Sequence, residues 1–266
     1  AVVLRSGNAG AAGVSGTMTF QTGTTSSGSS GKVTIASGSA TGGKGGNILM
    51  SVGTGTADQG GHLIGSAGHS TASTGGHVSL STGSGTATSS GSVVVKSVDS
   101  GSNGVSGRLA FSSGAATSGS SGAIRLSTGA ANAGRSGDIS IGGGAATGNT
   151  GGDIVFSSGS STDQTGGFLS VSASKGTAKS SGSIVVGTVN AGAAGVSGYL
   201  SFKTGTASAG TSGEISLETG KATAGKGGHV VMSVGSGNTA AGGDISVTAG
   251  ETTANTAVAG SVTVTG

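Results

Sequence analysis

The residues best able to do chemistry in this chain sit at fixed places in a repeating unit. His62 and His77 head two successive fifteen-residue units, and Asp138 and Asp153 head two others. Two imidazoles or two carboxylates one unit apart begin a metal site, which needs further ligands of the same kind to close. No third ligand recurs beside either pair, so solvated surface is the default reading. A phosphate loop is the second candidate. Gly38 with Gly43-Lys44, Gly220 with Gly225-Lys226, and Gly129 with Gly134-Arg135-Ser136 carry a G-x4-G spacing followed by a base. Such a loop needs Lys, then a hydroxyl for Mg²⁺, then a helix N-terminus to hold the phosphates. Gly45 and Gly227 follow the two Lys, Arg replaces the third, and no helix is expected to follow. The repeat accounts for the match. Ser is abundant, but no Ser–His–Asp set has a plausible geometry on a regular rod. The chain is therefore expected to be no enzyme, with no catalytic residue, no cofactor and no metal.

Two other patterns point to surfaces rather than to reactions. Position ten of the unit is Thr at 41, 56, 71, 86, 117, 147, 162, 177, 223 and 253. A ladder of Thr41, Thr56, Thr71, Thr86, Thr117, Thr147, Thr162, Thr177, Thr223 and Thr253 presents hydroxyls and methyls at a regular spacing, as ice binding requires, and it also offers sites for O-glycans. His69, Lys175, Lys221 and Glu251 at the neighbouring position eight break its regularity. The alternative is a β-branched residue that only hydrates a surface. The second pattern is apolar. Val3, Val94 and Val185 occupy an otherwise mostly polar position three, and Val14, Val105 and Val196 recur near the ends of the same units. Apolar groups at fixed intervals along a polar chain suggest a contact for a neighbour; the alternative is a local bulge that packs on itself.

The elements that position these residues follow from the repeat. One unit is Lys32-Val-Thr-Ile-Ala-Ser-Gly-Ser-Ala-Thr-Gly-Gly-Lys-Gly-Gly46, and the next begin at Asn47, His62 and His77. A short fixed period marks a solenoid, in which each repeat is one coil. Three units have sixteen residues and end in Gly-Val-Ser-Gly: Ala1–Gly16, Ser92–Gly107 and Ser183–Gly198. They recur every 91 residues, and the unit after each has Phe at position four: Phe20, Phe111 and Phe202. Residues 1–266 thus read as one continuous array with super-repeats 1–91, 92–182 and 183–266, ending in the short unit Ser261–Gly266. The array reads as a segment of a longer one.

Alternation at period two marks half-buried strands. It points Val33 and Ile35, Val78 and Leu80, Ile124 and Leu126, and Ile215 and Leu217 inward. Gly at position seven makes a first turn, positions eight to eleven a second short strand, and the Gly-Gly or Ser-Gly pair a closing turn that permits positive φ. The expected fold is all-β: a parallel β-solenoid whose flattened two-sided coil of about fifteen residues stacks at about 4.8 Å. Zero Pro suits such a fold, because Pro deletes a ladder donor. On this expectation a super-repeat advances about 29 Å.

Composition removes several function classes. Gly is 61 of 266 and charged residues are 8%, with a net charge of +3. The charges are scattered and aromatics are only 2%, so neither a basic patch nor stacking platforms for nucleic acid exist. The longest apolar runs are about four residues, far short of the ~20 that span a bilayer. Zero Cys excludes a disulfide framework.

The Gly/Ser/Thr/Ala units, such as Asp153-Ile-Val-Phe-Ser-Ser-Gly-Ser-Ser-Thr-Asp-Gln-Thr-Gly-Gly167, resemble tandem-repeat secreted surface proteins of algae and oomycete-like protists. The resemblance covers the whole chain and implies an extracellular structural protein of the flagellar-hair or cell-surface fibre type. The expected function is a non-enzymatic subunit or shaft of an extracellular filament. Its partners would be copies of itself or a sister fibre protein, met end to end and laterally. The alternative is an ice-binding or adhesin-stalk solenoid that presents the Thr ladder.

Overall fold

A computed structural model describes every residue except 12, 179, 240, 255 and 266. Among the described residues there is no helix and no strand. The expected parallel β-solenoid is overturned. The physical reason lies in where the backbone bonds go. Stacked coils must exchange hydrogen bonds between residues a unit apart. Here the backbone bonds among the described residues span three, eight or ten residues, so each stays inside one unit.

The chain divides into two units of structure, Ala1–Ala130 and Ala131–Gly266. In the first, the amide of Gly76 donates to the Gly68 carbonyl at 2.9 Å and that of Gly91 to Gly83 at 3.0 Å. In the second, Gly152 donates to Gly144 at 3.0 Å, Gly167 to Gly159 at 2.9 Å and Gly182 to Ser174 at 3.0 Å. Every one of these bonds joins the last residue of a repeat, position fifteen, to its own position seven. Each of these repeats is thus a closed loop. In two repeats without this bond a side chain serves: the Ser37 hydroxyl donates to the Gly46 carbonyl at 2.8 Å, and Thr22 to Gly31 at 3.2 Å.

The residue before the loop explains why position fifteen is Gly. A β-carbon on Gly46 would lie 3.1 Å from the Ser37 β-carbon, and one on Gly228 would lie 3.2 Å from that of Thr219. Gly61 against Val52 and Gly243 against Val234 repeat the approach at 2.6 and 3.0 Å. In each case position fifteen lies over position six, nine residues back. In the sixteen-residue units the same pair is kept ten residues apart, as Gly107 on Ser97 and Gly198 on Thr188. Their extra residue goes into a tight turn, closed by Gly104 N–H to Gly101 O at 3.2 Å and by Gly195 N–H to Gly192 O at 3.1 Å.

Two local expectations also change. Positions eight to eleven form no second strand; the chain bends at positions ten to twelve, for example at 41–43, 71–73, 162–164 and 208–210. Positive φ was expected at the closing pair but falls in this bend instead, at Gly28, Gly119, Gly148 and Gly210 with φ of 105, 123, 78 and 156°. The chain reverses at the bend, and the closing pair has only to approach.

No core forms among the described residues, and none of the residues read as inward is buried. Val33 is 58% and Ile35 is 75% exposed. The accessible surface is 25871 Å². A folded monomer of 24.0 kDa should expose about 9,900 Å², and its unfolded chain about 34,800 Å². The observed area lies nearer the unfolded figure.

Two outcomes follow for the isolated chain. Far-UV circular dichroism should lack both helix and sheet signatures. A single exposed backbone bond is worth only about 0.5–1.5 kcal/mol net, so exchange at the Gly76, Gly91 and Gly167 amides should be slowed no more than about tenfold relative to their neighbours. The loop also has a point of low tolerance. A β-carbon on Gly85 would stand 2.6 Å from the Ser89 carbonyl oxygen, whereas one on Gly83 meets nothing within 4 Å. Gly85→Ala should therefore erase the slowed exchange at Gly91, and Gly83→Ala should leave it unchanged.

Candidate assembly surface

Closure of each loop at positions seven and fifteen leaves positions one to five outside it. These five residues carry the apolar pair at positions two and four, and the structure exposes both. At one junction residues from the pairs of two neighbouring repeats line a common recess. Phe111, at position four of one repeat, and Ile124 and Leu126, at positions two and four of the next, line a recess of about 350 Å³ with Arg125 at position three. The recess is open and apolar, and Arg125 is the one charged residue that lines it.

The Val residues marked in the sequence are among the most exposed of the large apolar ones. Val14, Val105 and Val196 are 99, 97 and 96% exposed, and Val3, Val94 and Val185 are exposed too. Val105 and Val196 directly follow the tight turns at 101–104 and 192–195. The bulge does not pack these side chains on itself. The extra residue of the sixteen-residue units becomes an apolar projection, and the 29 Å axial advance expected for these units lapses with the coil stack.

All ten Thr of position ten are exposed. Nine of them begin the bend, and Thr253 lies outside one. Among the described residues no strand carries them, so a sheet does not set their spacing. Their hydroxyls make no hydrogen bond there either; the bonded hydroxyls include those of Thr22, Thr25, Ser37 and Ser100.

The residues that suggested chemistry stay apart. Among the described residues no three His, Asp or Glu side chains converge on a point that could hold a metal. No helix follows the glycine and lysine runs at 38–45 and 220–227. The one ion pair among the described residues, Arg135 with Asp138 at 2.8 Å, is exposed on both sides and lies three residues apart. Such a pair contributes little and is screened by salt.

Sequence reading missed two features. The unit Asp244–Gly260 has seventeen residues and still closes, with Gly260 N–H to Gly250 O at 2.9 Å. The other is the approach of position fifteen to position six. Its signal was present in the sequence, since position six is never larger than Val in any unit.

No protein-family model, curated protein or solved structure matches the chain.

The exposed Val side chains offer a direct test of the surface. Changing Val94, Val105, Val185 and Val196 together to Ser should leave the circular dichroism and the loop amides unchanged, because these side chains hold nothing in place. Self-association measured by sedimentation should weaken by at least about tenfold, since several ~1.5–3 kcal/mol apolar burials would be lost. Unchanged association would remove these residues from the contact.

Proposed function

We propose that this chain is a non-enzymatic structural subunit or shaft segment of an extracellular filament or surface fibre, assembled from copies of itself or of a sister chain. One observation carries the reading. An apolar pair recurs at the same phase of repeat after repeat and is exposed in each, as at Val33 and Ile35, Ile139 and Ile141, and Ile245 and Val247. A surface repeated along a chain invites a partner repeated along its own length. Fixing a backbone costs about 1–2 kcal/mol per residue. With no core to offset that, order in this chain must come with association, where the apolar pairs leave water. A net charge of +3 over 266 residues opposes close approach only weakly. The secreted setting rests on the resemblance of the repeats to surface proteins.

Concentration supplies the test. Dilute protein should be monomeric and quickly cut by trypsin at its scattered Lys and Arg. Above a threshold concentration it should form long particles in electron micrographs, and cleavage should slow by at least about tenfold as the buried stretches become inaccessible. A chain that stays monomeric and protease-sensitive at every concentration overturns the reading.

The exposed and unbonded Thr of position ten favour a second reading, a stalk that presents them to ice or carries O-glycans on them. Thermal hysteresis lost on changing Thr147 and Thr162 to Lys would support ice binding. The charged neighbours at position eight lead us to expect no hysteresis.

A further inference from the structure

Resting on the self-assembling reading above, we propose that the apolar pairs of one copy are covered by those of a second copy running parallel to it. The sixteen-residue units then fix the alignment at an offset of zero or of one whole 91-residue super-repeat. The area favours this occupant. The chain exposes 25871 Å² where about 9,900 Å² is expected of a folded monomer, an excess of about 16,000 Å². A stable interface needs only about 800 Å² from each partner. A second copy presents the same pairs at the same spacing along its whole length.

The alignment follows from the irregular units. Slide one copy past the other by fifteen residues, and most repeats still meet in phase. In Ser92–Gly107 they do not. Val93 then faces Arg108, and Val95 faces Ala110, because that unit is one residue too long. A slide of thirty residues puts two repeats of every six out of phase, and one of forty-five puts out three. At 91 the phase returns: Phe20 meets Phe111, Val14 meets Val105, and Val94 meets Val185. The departure comes near the end, at the seventeen-residue unit Asp244–Gly260. Parallel running is the direction in which every residue meets its like, so that bulky Phe falls on Phe and the projecting Val on Val. The structure adds the means of reading the offset. The extra residue is held in a closed turn at 101–104 and 192–195, and the Val beside it stands 97 and 96% exposed. A partner displaced by anything but a whole number of super-repeats meets a projection where it has none.

The absence of Cys makes the alignment measurable. Ser79, Ser140 and Ser170 all occupy position three and are all exposed. Three single variants, Ser79→Cys, Ser140→Cys and Ser170→Cys, are assembled alone and in equal mixtures. They are then oxidised, and the disulfide-linked peptides are counted by mass spectrometry. Offset zero joins 79 to 79, an offset of 91 joins 79 to 170, and a slide of thirty joins 140 to 170. The first two links should exceed the third by about tenfold. Deleting Val14, Val105 and Val196 gives those units fifteen residues each. Assembly should persist, and the 140 to 170 link should rise to parity.

Assembly with all three links equal in the parent chain overturns the alignment and leaves the structural reading standing. So does a 140 to 170 link that stays low after the deletion, or assembly with neither a 79 to 79 nor a 79 to 170 link. Failure to assemble at all overturns the structural reading, and this inference falls with it.

Discussion

Each repeat is held to itself by one close approach, that of its last glycine to its sixth residue. The rest of the structure depends on this contact. It leaves little room for a β-carbon at position fifteen, as Gly46 shows against Ser37 and Gly228 against Thr219. It keeps position six small. At Gly61, Gly76, Gly91, Gly152, Gly167 and Gly182 the amide of position fifteen also bonds to the carbonyl of position seven, inside its own repeat. A donor engaged inside one repeat cannot also pair with the next, and among the described residues no backbone bond crosses from one repeat to another. The apolar pair at positions two and four, lying outside the closed loop, is left uncovered.

The repeat, its irregular units and the glycines that close it were readable in the residues. The sheet was read wrongly, and Val33 and Ile35 show why. Their alternation places them on one side of the backbone and says nothing of what covers that side. Stacked coils, a second chain and water all satisfy the same spacing. What decides among them is the path of the backbone bonds, and a pattern of side chains carries little information about amides. The apolar recess at Phe111, Ile124 and Leu126 was out of reach for a related reason. It depends on how one repeat follows the next, and the glycine-rich joints leave that angle unconstrained in sequence.

A chain of this kind separates two tasks that globular proteins combine. Local shape comes from short loops of eight to ten residues, whose ends meet at small entropic cost. Cohesion has to come from apolar area, and nearly all of that area faces outward. In a globular domain burial stabilises the shape of a single chain. Here it is available to stabilise a group of chains, and the energy per chain grows with the number of repeats engaged. In the proposed assembly the low charge would serve the same end, because neighbours lying side by side multiply any mutual repulsion.

The closed loop bears on heredity as well. Since the backbone bonds stay within a repeat, a slip in copying that adds or drops fifteen codons inserts or removes one whole loop and breaks none of the bonds around it. Length is then free to drift between generations. A slip of a single codon is of another kind, because it shifts every later apolar pair against its neighbour. The sixteen-residue units carry a shift of that kind and return after every fifth ordinary repeat.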